Sequence, residues 1–540
     1  MERGQVVMNI VGTIKLPKSA DISSLYIQCN EAAEIVYPEE GQKVTLRQGG
    51  VISSNSYFNS FFEKYYVKYT TLSSIYYSLK LEGDFQVSVY REVNGSSQKE
   101  TISEEKFEKC QLSNPVNVLP IELLQNENAG RLYIEITCLS EQGIFAEGWI
   151  ATDNPKVRDV SLGVVICTFK KEEYVKNTLA AILQDKLLQE KALKVFVVDN
   201  GRTLDQSDFR DSRLALVPNK NAGGSGGFTR GLVEALEENI YSHLLVMDDD
   251  IELESEAICR LFSIHEYAKS DFVVAGGLLN LNKKYVLYEA GATYNESPKT
   301  KGASGSLTPL NHNIDLRTSD ALNQLLVEED ADYGGFWFCS FSKAIVEKMG
   351  LPLPLFIKLD DVEFCMRAKR ALGLPTVTFP SLAVWHLPAS AKNLNWETYY
   401  YFRNDLITYA IHFPPSYSYT VSNFTKEIIL ALLKPDFDRA QMLIQAFEDY
   451  LQGPDLIRKS EPDIFHVNIL KLSRSYENQV KADPFAGIKL LSRWFQIAGS
   501  SSAKWSTAST DWKNAAQELT STLFWQQYLS LREPAYSSSR

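Results

Sequence analysis

Cysteine is sparse, and no two cysteines form a CxxC pair. The seven present, at 29, 110, 138, 167, 259, 339 and 365, are scattered and odd in number. That usage fits a reduced, cytosolic compartment and argues against a disulfide framework. Several lie in apolar runs, where cysteine acts as a small buried hydrophobe. Long hydrophobic runs are also missing. None approaches the ~20 residues that span a bilayer, and 428–433 is a representative short one. The start, Met1-Glu2-Arg3-Gly4, leads into no apolar signal core, so neither an integral nor a Sec-exported protein is expected. Positive charge is short as well: 55 Lys and Arg stand against 67 Asp and Glu, a net −12. A general nucleic-acid binder would carry a basic footprint, so nucleic acid is not an expected partner. What remains is an ordinary globular composition, 44% apolar and 23% charged, which excludes a mainly disordered, collagen-like or fibrous chain. With 540 residues the chain can bury large cores across about three or four domains.

The pattern changes character twice. Residues 1–155 are β-rich: Gln86-Val87-Ser88-Val89-Tyr90 and Arg131-Leu132-Tyr133-Ile134-Glu135-Ile136 alternate as half-buried strands do, with turns at Asn94-Gly95 and Glu82-Gly83-Asp84. This predicts a β-sandwich. After Asp153-Asn154-Pro155 the order becomes strand, helix, strand, helix. Leu162-Gly163-Val164-Val165-Ile166-Cys167 reads as a strand buried on both faces, and 172–183 as a helix. Apolar runs at 195–198, 214–217 and 244–247 come next, so 156–390 reads as an open, mostly parallel α/β unit. From 391 to 540 the spacing is helical, as at 425–433, 439–451 and 489–497, and the tail 536–540 is expected to fray.

In open α/β sheets ligands sit beyond the carboxyl ends of the strands. Those ends carry Thr168-Phe169-Lys170, Asp199-Asn200-Gly201, Asn219 to Gly231, and Asp248-Asp249-Asp250. Alternate residues of an extended segment point the same way, so Asp248 and Asp250 can share one ion. Hard carboxylate oxygens suit Mg²⁺ or Mn²⁺, whereas an acidic turn alone is the plainer reading. Gly223, Gly224, Gly226 and Gly227 let the backbone approach a ligand, with a helix predicted from 228 to 236; a ligand-free loop is the alternative. Asp360 and Asp361 sit at or just before a predicted helix, 362–372, where one can cap while the other faces a pocket. His386 ends the apolar run 376–385, at the ligand edge, and imidazole suits Mn²⁺. Tyr333-Gly334-Gly335-Phe336-Trp337-Phe338 can wall a sugar or pack a core.

Together these motifs resemble a known family. Cys167-Thr168-Phe169-Lys170, Asn221-Ala222-Gly223-Gly224-Ser225-Gly226-Gly227-Phe228-Thr229-Arg230-Gly231, Met247-Asp248-Asp249-Asp250, Phe336-Trp337, Asp360-Asp361 and Trp385-His386 carry the resemblance. It is to the galactofuranosyltransferases of the mycobacterial arabinogalactan-polymerising type, within inverting glycosyltransferase family 2. Tyr57-Phe58-Asn59-Ser60-Phe61 resembles that family's sandwich. The resemblance implies a GT-A catalytic domain between an N-terminal β-sandwich and a C-terminal helical domain. It further implies transfer of galactofuranose from UDP-galactofuranose to a glycan or lipid-linked glycan. Asp248, Asp250 and His386 would hold Mn²⁺ or Mg²⁺, and Asp361 would be the general base. Glu289 and Trp337 would lie by the donor or acceptor sugar with Asp360, and Thr168, Asp199 and Asn221 would line the nucleotide site. Leu359 stands where the family has an aromatic residue, which bears on acceptor preference. Two other readings compete: a related transferase using a donor such as dTDP-rhamnose, and a non-catalytic glycan-binding protein. Trp494, Phe495, Trp505, Trp512, Phe524 and Trp525, near Lys489, Arg493, Lys504 and Lys513, suit either peripheral attachment to the inner membrane face or packing of the helical domain or a subunit contact. Self-association stays open.

Overall fold

The computed structural model describes residues 8–37, 41–95, 99–295, 306–388, 395–480 and 485–530. The first four residues and the tail 536–540 lie outside the described residues.

The N-terminal strands are organised by one long one, β1 (Ser74–Glu92). Its far half pairs antiparallel with β2 (Arg131–Cys138), and its near half with β3 (Gln142–Thr152). One strand therefore serves two sheets. The changeover falls at Gly83, with φ +116°, where an added Cβ would come within 2.7 Å of Ser140 Oγ. Alternate residues Tyr77, Leu79, Leu81, Phe85, Val87 and Val89 turn inward and are buried.

This unit is fastened to the next by buried polar contacts. Glu256 accepts from the N–H and hydroxyl of Thr13 at 2.6 Å each, and pairs with Arg260 at 2.9 Å. Arg131 pairs with Glu92 at 3.0 Å and donates to Asn323 beyond it. These ion pairs lie within each unit, and the bonds from Thr13 to Glu256 and from Arg131 to Asn323 cross between them.

The second sheet begins with β4 (Leu162–Thr168), every residue of which is buried. A helix, α1 (Glu172–Gln184), leads to β5 (Leu193–Asp199) and then β6 (Leu214–Pro218). α2 (Gly223–Glu238) crosses back to β7 (His243–Asp248) on the other side of β4. β6, β5, β4 and β7 are parallel. The order reverses between β4 and β7, which is where such sheets open a ligand crevice. Beyond β7 the sheet is mixed. β8 (Val273–Asn280) and β9 (Cys339–Ser342) follow later in the chain, and β9 lies antiparallel between β7 and β8. After α3 (Asp360–Leu372), β10 (Thr376–His386) joins β8 in parallel.

Long helices build much of the remainder, among them α4 (Asn395–His412), α5 (Tyr417–Leu433), α6 (Phe437–Tyr450), α7 (Ala486–Ser500) and α8 (Ser502–Leu519). Their tryptophans decide between surface attachment and packing. Trp494, Trp505, Trp512 and Trp525 are all buried. The Nε1 groups of Trp494, Trp512 and Trp525 donate to Thr425 Oγ1, Tyr450 O and Pro352 O at 2.7, 3.0 and 2.9 Å. Phe524 packs partly buried, and Phe495 alone of the six is exposed. Burying such rings stabilises the fold, whereas leaving them on a surface exposes large apolar area. Among the described residues, no helix is long and apolar enough to cross a membrane.

Candidate active site

Strand register brings the polar strand ends to one edge. Thr168 lies beside Asp199, and Cys167 beside Asp248. After Asp250 the chain forms a two-residue strand in which Glu252 pairs with Trp385. That stitch delivers His386, the last residue of β10, to Asp250. Its Nε2 is 2.8 Å from Asp250 Oδ1 and 3.9 Å from Asp248 Oδ2. One ligand atom from each of Asp248, Asp250 and His386 lies within 4.8 Å of the others. Asp249 also lines the space between them and accepts from Phe169 N at 3.2 Å. Burial, with Asp250 and Asp248 nearby, pushes its carboxyl up to about 7.

The second acidic pair enters from α3. Asp360 and Asp361 are its first two residues, and the chain reaches them through Phe356, Lys358 and Leu359, all with φ above +60°. Non-glycine residues there cost on the order of 1–3 kcal/mol each. Asp361 is half-buried and accepts from Val362 N at 2.8 Å. Burial pushes its carboxyl up to about 6. Asp360 is buried, and burial plus the Asp361 charge hold its carboxyl well above the usual range. The two carboxyls sit close enough to titrate as a pair. Glu289 is pushed up to about 7 by burial and then by Asp361, and Tyr333 Oη donates to it at 3.4 Å. Trp337 donates through Nε1 to Gly276 O at 2.8 Å, which fixes its ring.

One cavity of about 1180 Å³ unites these groups: Asp248, Asp250, His386, Glu289, Trp337, Asp360 and Asp361 all line it. Thr168, Asp199 and Asn221 lie outside its lining. The Asp199 carboxylate accepts from Gly201, Thr203 and Leu204 N–H at 2.9, 2.7 and 2.8 Å, so it shapes the loop after β5. Asn221 Oδ1 accepts from Gly223 N at 3.2 Å.

The glycine run differs from its sequence reading. The helix starts at Gly223, not at 228, and its glycines meet protein. A Cβ on Gly223 would come within 2.1 Å of Phe356 O, one on Gly227 within 2.1 Å of Cys167 Sγ, and one on Gly231 within 2.3 Å of Val165. These glycines let α2 lie close on β4 and on the turn before Asp360. Of the run, Gly224 lines the cavity.

Sequence motifs do not announce the opposite wall. It comes from the helical part, through Trp396, Tyr401, Glu427, Lys434 and Arg439. The aromatic run Trp396 to Phe402 is the one available signal; the charged residues are spread over two helices and beyond with no motif.

Comparison with known proteins bears on what this site is. Residues 12–152 match the family described as "Galactofuranosyltransferase 2 N-terminal", and residues 160–400 match "Glycosyltransferase like family 2". The galactofuranosyltransferase GlfT2 of Mycolicibacterium smegmatis is 31% identical over 480 residues, covering 85% of this chain and 74% of that one. The chain belongs to the GlfT2 galactofuranosyltransferase family. GlfT2 of Mycobacterium tuberculosis is 27% identical over 494 residues, 85% of this chain and 77% of that one. A low-salt glycan biosynthesis hexosyltransferase, Agl10 of Haloferax volcanii, is 26% identical over 219 residues, 39% of this chain and 62% of that one. As a GlfT2-family member the chain is a glycosyltransferase, which removes the non-catalytic glycan-binding reading. Its catalytic fold is GT-A-like, between an N-terminal sheet unit and C-terminal helices.

Proposed function

We propose that the protein transfers galactofuranose from UDP-galactofuranose to a growing cell-surface glycan, with inversion and with Mn²⁺ or Mg²⁺ bound. The observation that carries this is the convergence of Asp248, Asp250 and His386 with Asp361 and Glu289 in one cavity of a GlfT2-family chain. Two carboxylates and an imidazole within 4.8 Å fit a divalent cation, with Mn²⁺ favoured by the nitrogen donor. When bound, the cation offsets charge on the departing diphosphate.

The chain's own residues divide the remaining work. Asp361 takes the proton of the acceptor hydroxyl as that oxygen attacks the anomeric carbon. Burial and the Asp361 charge both raise the Asp360 carboxyl, so a second negative charge beside Asp361 is disfavoured. Glu289 and Trp337 face the sugar, with the Trp337 ring as a flat wall. The nucleotide is assigned to the strand edge that carries Thr168, Asp199 and Asn221, next to the open cavity and outside its lining. Trp396 and Tyr401 offer aromatic faces on the opposite wall for acceptor sugars. One displacement gives inversion, with no covalent enzyme intermediate.

A donor panel tests this reading against the alternative. With Mn²⁺, donor turnover is expected from UDP-galactofuranose and not from dTDP-rhamnose. Preference for the dTDP-sugar would overturn the donor assignment while leaving metal and base in place.

The proposed setting is cytoplasmic, with reversible contact at the inner membrane face. The buried tryptophans take no part in it. An exposed apolar face does exist where α5 meets α7: Ile429, Leu430, Leu433 and Ile488 are exposed, beside Lys434 and Lys489. Leu430 also lines the cavity, so this face adjoins its mouth. Apolar and basic residues together suit an anionic lipid surface. Wild type should sediment with anionic liposomes at low salt, and Leu433→Glu with Ile488→Glu should abolish this without altering turnover on a water-soluble acceptor. Wild type left in the supernatant would refute the contact, and self-association lost in that variant would assign the face to a second copy.

A further inference from the structure

The turn before the Asp pair has a backbone shape its residues disfavour. Phe356, Lys358 and Leu359 have φ between 66° and 74°, and none is glycine. Such a segment persists only where its surroundings over-determine it. Two elements bond to it. From α2, Ser225 Oγ accepts from Phe356 N at 2.9 Å, and Ser225 N donates to Phe356 O at 3.0 Å. From α4, the fully buried Asn404 places Nδ2 at 3.1, 2.7 and 2.9 Å from the carbonyl oxygens of Leu355, Ile357 and Lys358. Arg403 adds a bond to Leu355 O at 2.8 Å. The amide cannot be reversed. Its Oδ1 accepts from Arg403 Nε at 2.9 Å, so a flip would set an oxygen against three carbonyls and an NH₂ against a guanidinium.

We propose that Asn404 is a positioning residue for glycosyl transfer: by gathering three carbonyls it fixes the turn that presents Asp361 to the cavity. The proposal rests on the reading of Asp361 as the base. Asn404 does not itself line the cavity, so it acts through the turn. It also gives the helical part a share in the chemistry, since α4 carries both this clamp and the wall residues Trp396 and Tyr401.

The test is a double-mutant cycle in the full chain, assayed with Mn²⁺. Asn404→Ala should lower kcat by about 10- to 100-fold, the scale of a ~1 Å misplacement of a reacting group. Donor KM and UDP affinity should stay within about twofold, as for an interaction felt in the transition state. Asn404→Gln, which keeps the NH₂ on a longer arm, should recover part of the loss. In an Asp361→Asn background, Asn404→Ala should cost no more than about twofold, because the group it positions is gone. Tyr450→Phe, which loses a bond to Ser509 in the same helical part, should lower the melting temperature with turnover unchanged. Normal turnover in folded Asn404→Ala, or an equal loss in both backgrounds, overturns the proposal. If Asn404→Ala does not fold, the same cycle run with Asn404→Gln and with Ser225→Ala decides it on the same criterion. Near-normal turnover of Asp361→Asn alone overturns the base reading and this proposal with it. Additive losses with Asp361→Asn slowed at least about 10²-fold but still measurable overturn this proposal alone.

Discussion

Asp361→Asn should fold, bind UDP, and turn over at least about 10²-fold more slowly than wild type, the usual scale for loss of a general base. The substituted amide keeps the oxygen that accepts from Val362 N and the shape of the first turn of α3. Only the proton acceptor is removed. The pH profile should agree. With its carboxyl raised to about 6 by burial, Asp361 is protonated and idle below that pH and ionised above it. Wild-type kcat/KM should therefore climb as pH rises through about 6, and the variant should lose that limb. Near-normal turnover in the variant would move the base to a neighbour. Glu363 is a poor alternative: against its burial, Arg367 and His412 hold its carboxyl down to about 2, and both are bonded to it. Asp360 would then be left.

The second large effect concerns the cation. EDTA should abolish transfer, and Mn²⁺ or Mg²⁺ should restore it. Asp248 and Asp250 face one space with His386, and like charges so placed are eased by a shared cation. Asp250→Ala should weaken UDP binding in the presence of metal and hardly change it without. Calorimetric titration of UDP with and without Mn²⁺ reads this directly. Equal wild-type affinity in both would sink the metal assignment.

The half of the site built on strands was legible in the sequence for a physical reason. In a parallel sheet every strand ends at the same edge, so the residues just after each apolar run are the ones that share that edge. Asp248, Asp250 and His386 emerge from that rule, and the two Asp residues also from the two-residue period of extended chain. The start of α2 was misplaced because glycine in a run reads as loop, whereas Gly223, Gly227 and Gly231 are set by close contact with Phe356, Cys167 and Val165. Those contacts join segments far apart in sequence. The helical wall was hidden for the same reason: Glu427, Lys434 and Arg439 meet the cavity through packing of α5 and α6, which no local spacing encodes. The tail tryptophans illustrate the limit of composition. Aromatic and basic residues on a helix describe a membrane anchor and a packed bundle equally well, and Trp512, fully buried against Tyr450, belongs to the bundle.

Everything in the proposed reaction turns on one displacement at the anomeric carbon, assisted by Asp361 with a cation on the leaving diphosphate. The anomeric configuration of the transferred sugar tests this most directly. It can be read by NMR after wild type acts on UDP-galactofuranose, Mn²⁺ and a galactofuranose-bearing acceptor. The predicted product is a galactofuranoside of configuration opposite to the donor, formed only with metal. A product of retained configuration, or transfer undiminished by EDTA, would contradict it.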